Sequence, residues 1–118
     1  MLAVLREEPG SEKLPVEMLA DAVGSAVNVA EVHTKLVSRG GDADEAWEDA
    51  LSAVGDIAPF TAEHARIAGS LITQTRSLGL SLGDRACLAL GVALKAPVYT
   101  TDKSWKNLNV GVRIHVIR

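Results

Sequence analysis

Three carboxylates in this chain stand beside the start of a helix or the end of a short strand. Asp84 lies three residues after Ser81 in the run Gly79-Leu80-Ser81-Leu82-Gly83-Asp84-Arg85-Ala86-Cys87-Leu88-Ala89-Leu90, which reads as a helix opened by a capping serine. Glu31 lies three residues after Asn28, and Asp102 follows the strand-like Pro97-Val98-Tyr99-Thr100. Acids delivered to one rim of one sheet repel each other unless something positive sits between them. A hard cation such as Mg²⁺ or Mn²⁺ takes carboxylate oxygens, keeps several waters, and suits such a rim. Such an ion can orient and acidify a bound water. Glu31 and Asp84 also have a purely structural reading open to them. At that spacing an acid reaches back to the first backbone N–H of its helix as half of a capping box.

Other chemistry is less well supported. Nothing offers a thiolate or clustered-imidazole site for zinc. His33, His64 and His115 are scattered, and none has a Ser or Cys at the spacing of a nucleophilic pair. Gly79, Gly83 and Gly111 lack the strand, glycine-rich loop and lysine of a phosphate-binding motif. Arg85 can pair with the adjacent Asp84 or touch a phosphate of a ligand. Lys35, Lys103 and Lys106 can line a groove for an anionic ligand or simply be solvated. Trp47 and Trp105 read as packing anchors, and Cys87, inside an apolar helical run, as a buried inert thiol.

The elements that must position these groups alternate between helix and strand. Met1 to Arg6 reads as the tail of a helix stopped by Pro9-Gly10, and Ser11 to about Ala20 as a second helix with Pro15 in its first turn. Ala22 to Val27 reads as a strand, after which Asn28 caps a helix to about Ser38, closed by Gly40-Gly41. Asp42 or Asp44 opens the next helix, to about Val54, and Asp56-Ile57-Ala58 is a short strand. Thr61 caps a longer helix to about Leu78, and Ser81 caps another to about Lys95. Pro97 to Thr100 is a strand, Lys103 to Lys106 a helical turn, and Val112 to Val116 a final strand. Strands alternating with helices specify βαβ units, hence a parallel sheet with helices on both faces. In such sheets ligands bind beyond the carboxyl ends of the strands, where these acids lie.

The bulk composition agrees. The 118 residues make one domain, with 47% hydrophobic residues of which aromatics supply only 3%, so the core is built from small aliphatic side chains. One cysteine excludes an internal disulfide, and no apolar stretch approaches the roughly 18 residues of a membrane span. No signal peptide is visible, which implies a cytoplasmic protein. A net charge of -3 gives no global basic field toward nucleic acid, yet a metal-dependent nuclease needs only a local one.

Three segments in order, Ser25-Ala26-Val27-Asn28-Val29-Ala30-Glu31-Val32, Leu78 to Leu90 and Val98 to Trp105, resemble the PIN domain, the nuclease fold of VapC-type toxins of bacterial toxin–antitoxin pairs. The resemblance runs over nearly the whole chain. It implies an α/β three-layer sandwich, a short parallel sheet flanked by helices, in a single domain over residues 1–118. It further implies that Glu31, Asp84 and Asp102 are the second, third and fourth acids of the family's quartet, ligands of Mg²⁺ or Mn²⁺. Asn28, Thr100 and Arg85 are then supporting residues. The implied activity is endoribonucleolytic hydrolysis of tRNA or ribosomal RNA. The implied partners are a cognate antitoxin protein and a second copy in a homodimer. One departure stands out: no residue matches the family's first Asp, which would fall just before Met1. The chain thus looks N-terminally truncated relative to the family and lacks the central strand that carries this acid. The loss of a ligand weakens such a site, so the resemblance also admits a non-catalytic relative that binds an antitoxin or itself. An interrupted sheet must be repaired, either by drawing Met1–Leu5 into an extended position or by covering the gap with a partner chain.

Overall fold

Short apolar runs bounded by charges or turn residues become the strands of this protein. The computed structural model describes residues 3–8, 17 and 21–117. Its strands are β1 (Ala3–Leu5), β2 (Ala22–Ser25), β3 (Asp56–Ala58), β4 (Val98–Thr100) and β5 (Ile114–Val116). The described helices are α1 (Ala26–Ser38), α2 (Ala43–Ser52), α3 (Ala62–Ser70), α4 (Ile72–Thr75) and α5 (Leu82–Leu94). The strands form one sheet in the order β3-β2-β1-β4-β5, with every pair parallel. This is the α/β sandwich expected from the alternation of elements.

The centre of the sheet corrects two expectations. Ala3–Leu5 is a strand and not the tail of a helix, and it occupies the central position expected to be missing. Val4 faces Val23 on one side and Val98 on the other, while Leu5 faces Tyr99. The backbone amides of Val4 and Arg6 donate to the carbonyls of Pro97 (2.9 Å) and Tyr99 (2.8 Å). A central parallel strand is covered on both faces and therefore needs consecutive apolar residues. Val4 and Leu5 supply them, fully buried on opposite faces. The extended repair of the sheet is the one realised. The helix expected over Ser11 to Ala20 lies almost wholly outside the described residues.

Alternation along the strands divides the core in two. Val4, Val23 and Val98 pack with Cys87, Leu88 and Leu90 of α5, with Leu71, and with Trp105, which is fully buried. Leu5 and Ala22 pack on the other face with Val29 and Val32 of α1 and with Ala50 and Val54. On the first face α5 lies so close to β4 that a Cβ at Gly91 would stand 2.4 Å from Cγ2 of Val98.

Helix starts follow their caps. The side chains of Asp42, Thr61 and Ser81 accept from the first-turn amides of α2, α3 and α5. In α1, however, the cap is Ser25 and not Asn28, because β2 ends two residues earlier than expected. The long helix expected from Thr61 to Leu78 is broken after Ser70 into α3, α4 and a 3₁₀ turn, Arg76–Leu78. The hydroxyls of Ser70 and Thr75 bond to the carbonyls four residues before them, and such side-chain competition bends or interrupts a helix. Trp105 is the anchor its type suggests. Trp47 is not: it is exposed on α2, edge-on to His33 at 5.4 Å.

Candidate functional site at the carboxyl rim

The strand order reverses at β1. The chain runs from β1 outward through β2 to β3, then crosses back to β4 on the other side of β1. The crevice beyond the carboxyl ends at such a switch point is where open parallel sheets bind ligands. Arg6 leaves β1 into this crevice, α1 begins directly after β2, and Thr100 ends β4.

Two of the three expected acids meet here, around a residue that sequence reasoning missed. Nε of Arg6 donates to Oδ1 of Asp84 at 3.0 Å, and Nη2 lies 3.2 Å from Oε1 of Glu31. Nη1 donates to the carbonyl of Glu7 at 2.7 Å. The Arg6 side chain is only 13% exposed, against 38% for Glu31 and 21% for Asp84. Burial works to lower the Arg6 pKa, but the hydrogen bond to Asp84 and the charges of Asp84 and Glu31 outweigh it and raise it. The guanidinium therefore stays charged throughout the range in which the protein folds.

Each acid is held from behind. The second oxygen of Asp84 accepts from the Ser81 amide at 2.9 Å while the Ser81 hydroxyl accepts from the Asp84 amide, a complete capping box. Asp84 thus fills its structural role and still points one oxygen into the crevice. Glu31 is not part of a capping box, since it lies in the second turn of α1. Instead Oε1 of Glu31 accepts from Nδ2 of the fully buried Asn28 at 3.2 Å, and the same amide donates to the Gly83 carbonyl at 2.8 Å. Asn28 ties α1 to α5 through this pair of bonds. A Cβ on Gly83 would fall 2.3 Å from Oε2 of Glu31, so only glycine lets that carboxylate rest against the first turn of α5.

The remaining expected residues are placed differently. Asp102 follows β4 and turns its carboxylate back to cap the 3₁₀ turn Lys103–Trp105, accepting from the Ser104 amide and hydroxyl. The buried Thr100 hydroxyl accepts from the Asp102 amide at 3.0 Å and fixes that turn. Among the described residues no three His, Cys, Asp or Glu side chains are grouped to hold a metal ion. Arg85 forms no ion pair with Asp84; its Nη1 donates to the Ala68 carbonyl at 2.9 Å and braces α5 against α3. His33, His64 and His115 each lie against an aromatic ring, far from a nucleophile's role. Cys87 is buried, and its thiol is pushed up to about 12, chiefly by burial. No local signal would have found Arg6, because its place depends on Ala3–Leu5 pairing with β2 and β4 as the central strand.

A family model of the PIN domain matches residues 1–110. The chain is a PIN domain. Solved structures agree on its fold. VapBC2 from Rickettsia felis, bound to a DNA fragment from its promoter, superimposes with a TM-score of 0.68 at 20% identity, covering 98% of each chain. VapBC-5 from Mycobacterium tuberculosis gives 0.67 at 16% identity, again over 98% of each chain. FitAcB from Neisseria gonorrhoeae gives 0.63 at 19% identity, over 98% of this chain and 96% of that one. No curated protein matches the sequence.

The oxygen-only donor set of this PIN domain has the chemistry of a hard-cation site, but its present arrangement does not fit a divalent ion. The facing oxygens of Glu31 and Asp84 are both engaged by Arg6, and Asp102 is engaged by its own turn. No helix among the described residues is long and apolar enough to cross a membrane.

Proposed function

We propose that this PIN domain is the toxin component of a toxin–antitoxin pair, a VapC-like endoribonuclease that hydrolyses RNA phosphodiesters and is restrained by a cognate antitoxin protein. The observation that carries the reading is the convergence of Glu31 and Asp84 on one cationic group at the switch point of a PIN sheet. The likeness to VapBC and FitAcB structures supports the antitoxin partner. Lys103 and Lys106 line a groove of about 510 Å³ with Ile114, His115 and Val116, adjoining Asp102, and supply the local positive charge that an RNA backbone needs. Transfer RNA or ribosomal RNA is the proposed substrate, Mg²⁺ or Mn²⁺ the proposed cofactor, and a cytoplasmic homodimer the proposed state of the free toxin. In this arrangement Arg6 stands between the two acids.

That same ion pair favours a second reading, a non-catalytic PIN relative that binds an antitoxin or its own copy. One experiment separates the two. End-labelled tRNA and ribosomal RNA are incubated with the purified chain and with Asp84→Asn in millimolar Mn²⁺. Slow cleavage by the wild type that disappears in Asp84→Asn is the expected result. Intact RNA with both proteins refutes the nuclease and leaves the second reading.

A further inference from the structure

Arg6 does more than pair with a nearby acid. It sits at the carboxyl end of the central strand, its amide held in the ladder by the 2.8 Å bond to Tyr99, and its side chain enters the switch-point crevice. All three guanidinium nitrogens are then committed: Nε to Asp84, Nη2 to Glu31 and Nη1 to the Glu7 carbonyl. The two carboxylates are also braced from behind. Asp84 is pinned through its second oxygen to Ser81, and Glu31 by Asn28 and by the surface of Gly83.

A divalent ion held by both acids would sit in the space between their facing oxygens. That space is filled by the guanidinium of Arg6, whose positive charge repels a divalent ion placed beside it. Occupancy by Arg6 and by metal is therefore mutually exclusive. The charges differ too: the two carboxylates carry two negative charges and Arg6 returns one, so this cluster of three side chains keeps one net negative charge.

We propose that Arg6 is the resident cation of this site, holding Glu31 and Asp84 in the place of a divalent ion, so that the rim takes up metal only when the guanidinium withdraws. The inference rests on reading the rim as the functional site. It adds an internal competitor that sets how much metal the site admits.

The test is Mn²⁺ binding by isothermal titration calorimetry to the full chain, to Arg6→Gln, and to Arg6→Gln combined with Asp84→Asn. Arg6→Gln is expected to bind Mn²⁺ at least about tenfold more tightly than the wild type, a gain that the added Asp84→Asn removes. Equal affinity in the wild type and a folded Arg6→Gln overturns the proposal. Should Arg6→Gln fail to fold, the wild type decides by NMR: the carboxylate resonances of Glu31 and Asp84 are expected to shift with Mg²⁺ only where the Arg6 Nε–H resonance shifts too, and carboxylate shifts with that resonance unmoved overturn the proposal. RNA digestion run in parallel keeps the two ideas apart. Metal gained without cleavage leaves Arg6 as the resident cation and refutes the nuclease; cleavage with no change in metal affinity does the reverse.

Discussion

Replacing glycine by alanine at two helical positions should move stability in opposite directions, and the contrast tests how tightly α5 is seated on the sheet. A Cβ at Gly91 would stand 2.4 Å from Cγ2 of Val98 and 3.4 Å from the Ala96 carbonyl. An ordinary carbon–carbon contact is about 3.5–4.0 Å, so Val98 or the helix must yield by more than 1 Å. Val98 is fully buried between β1 and β5 and has nowhere to rotate. Overpacking of this kind costs about 1–3 kcal/mol, offset by about 0.5–1 kcal/mol from alanine's better helix propensity. The net expectation for Gly91→Ala is a loss of about 1–2 kcal/mol, or roughly 5–10 °C in Tm for a domain of this size. Gly69 lies in α3, exposed, with nothing within 4 Å of a built Cβ. Gly69→Ala should therefore gain about 0.5 kcal/mol, the propensity contribution alone. Urea and thermal unfolding followed by circular dichroism measure both. Gly91 also lies two helical turns after Asp84 on the same face of α5, so a displaced helix moves the rim as well. Equal shifts in the two variants, or a stable Gly91→Ala, would refute the close seating of α5 on β4.

Two further outcomes are expected. Asn28→Ala removes the amide that satisfies the Gly83 carbonyl and steadies Glu31, and should cost about 1–3 kcal/mol in urea unfolding; unchanged stability would mean the carbonyl has another partner. Cys87, pushed up from 9.0 to about 12, keeps its proton when folded where the unfolded chain loses it. Its contribution is fully present below pH 9.0 and declines above it by about 1.4 kcal/mol per pH unit until the folded thiol also ionises. The alkaline loss should shrink in Cys87→Ala, and an undiminished loss would assign it to other groups.

What the sequence by itself determined is the set of features carried by local chemistry. Strands alternating with helices dictated a parallel sheet covered on both faces, and the caps Thr61 and Ser81, with Asp42 or Asp44 for a third helix, placed helix starts because a side-chain oxygen answers an amide two or three residues away; the structure selects Asp42. The spacing of Ser81 and Asp84 determined a capping box that the structure contains in full. Tertiary structure decided the rest. Nothing local distinguishes Ala3-Val4-Leu5 as a strand; three residues earn that place only because β2 and β4 offer backbone partners on both sides and apolar layers cover both faces. Once β1 is central, Arg6 must lie at the switch point, 78 positions from Asp84 in sequence yet within hydrogen-bond distance. Local pattern also placed the cap of α1 at Asn28, whereas the length of β2 gave it to Ser25 and left Asn28 free to join α1 to α5. Glu31 and Asp84 were legible as acids at a rim. That a guanidinium holds them is a property of strand order, because only the reversal at β1 brings the three residues to one point.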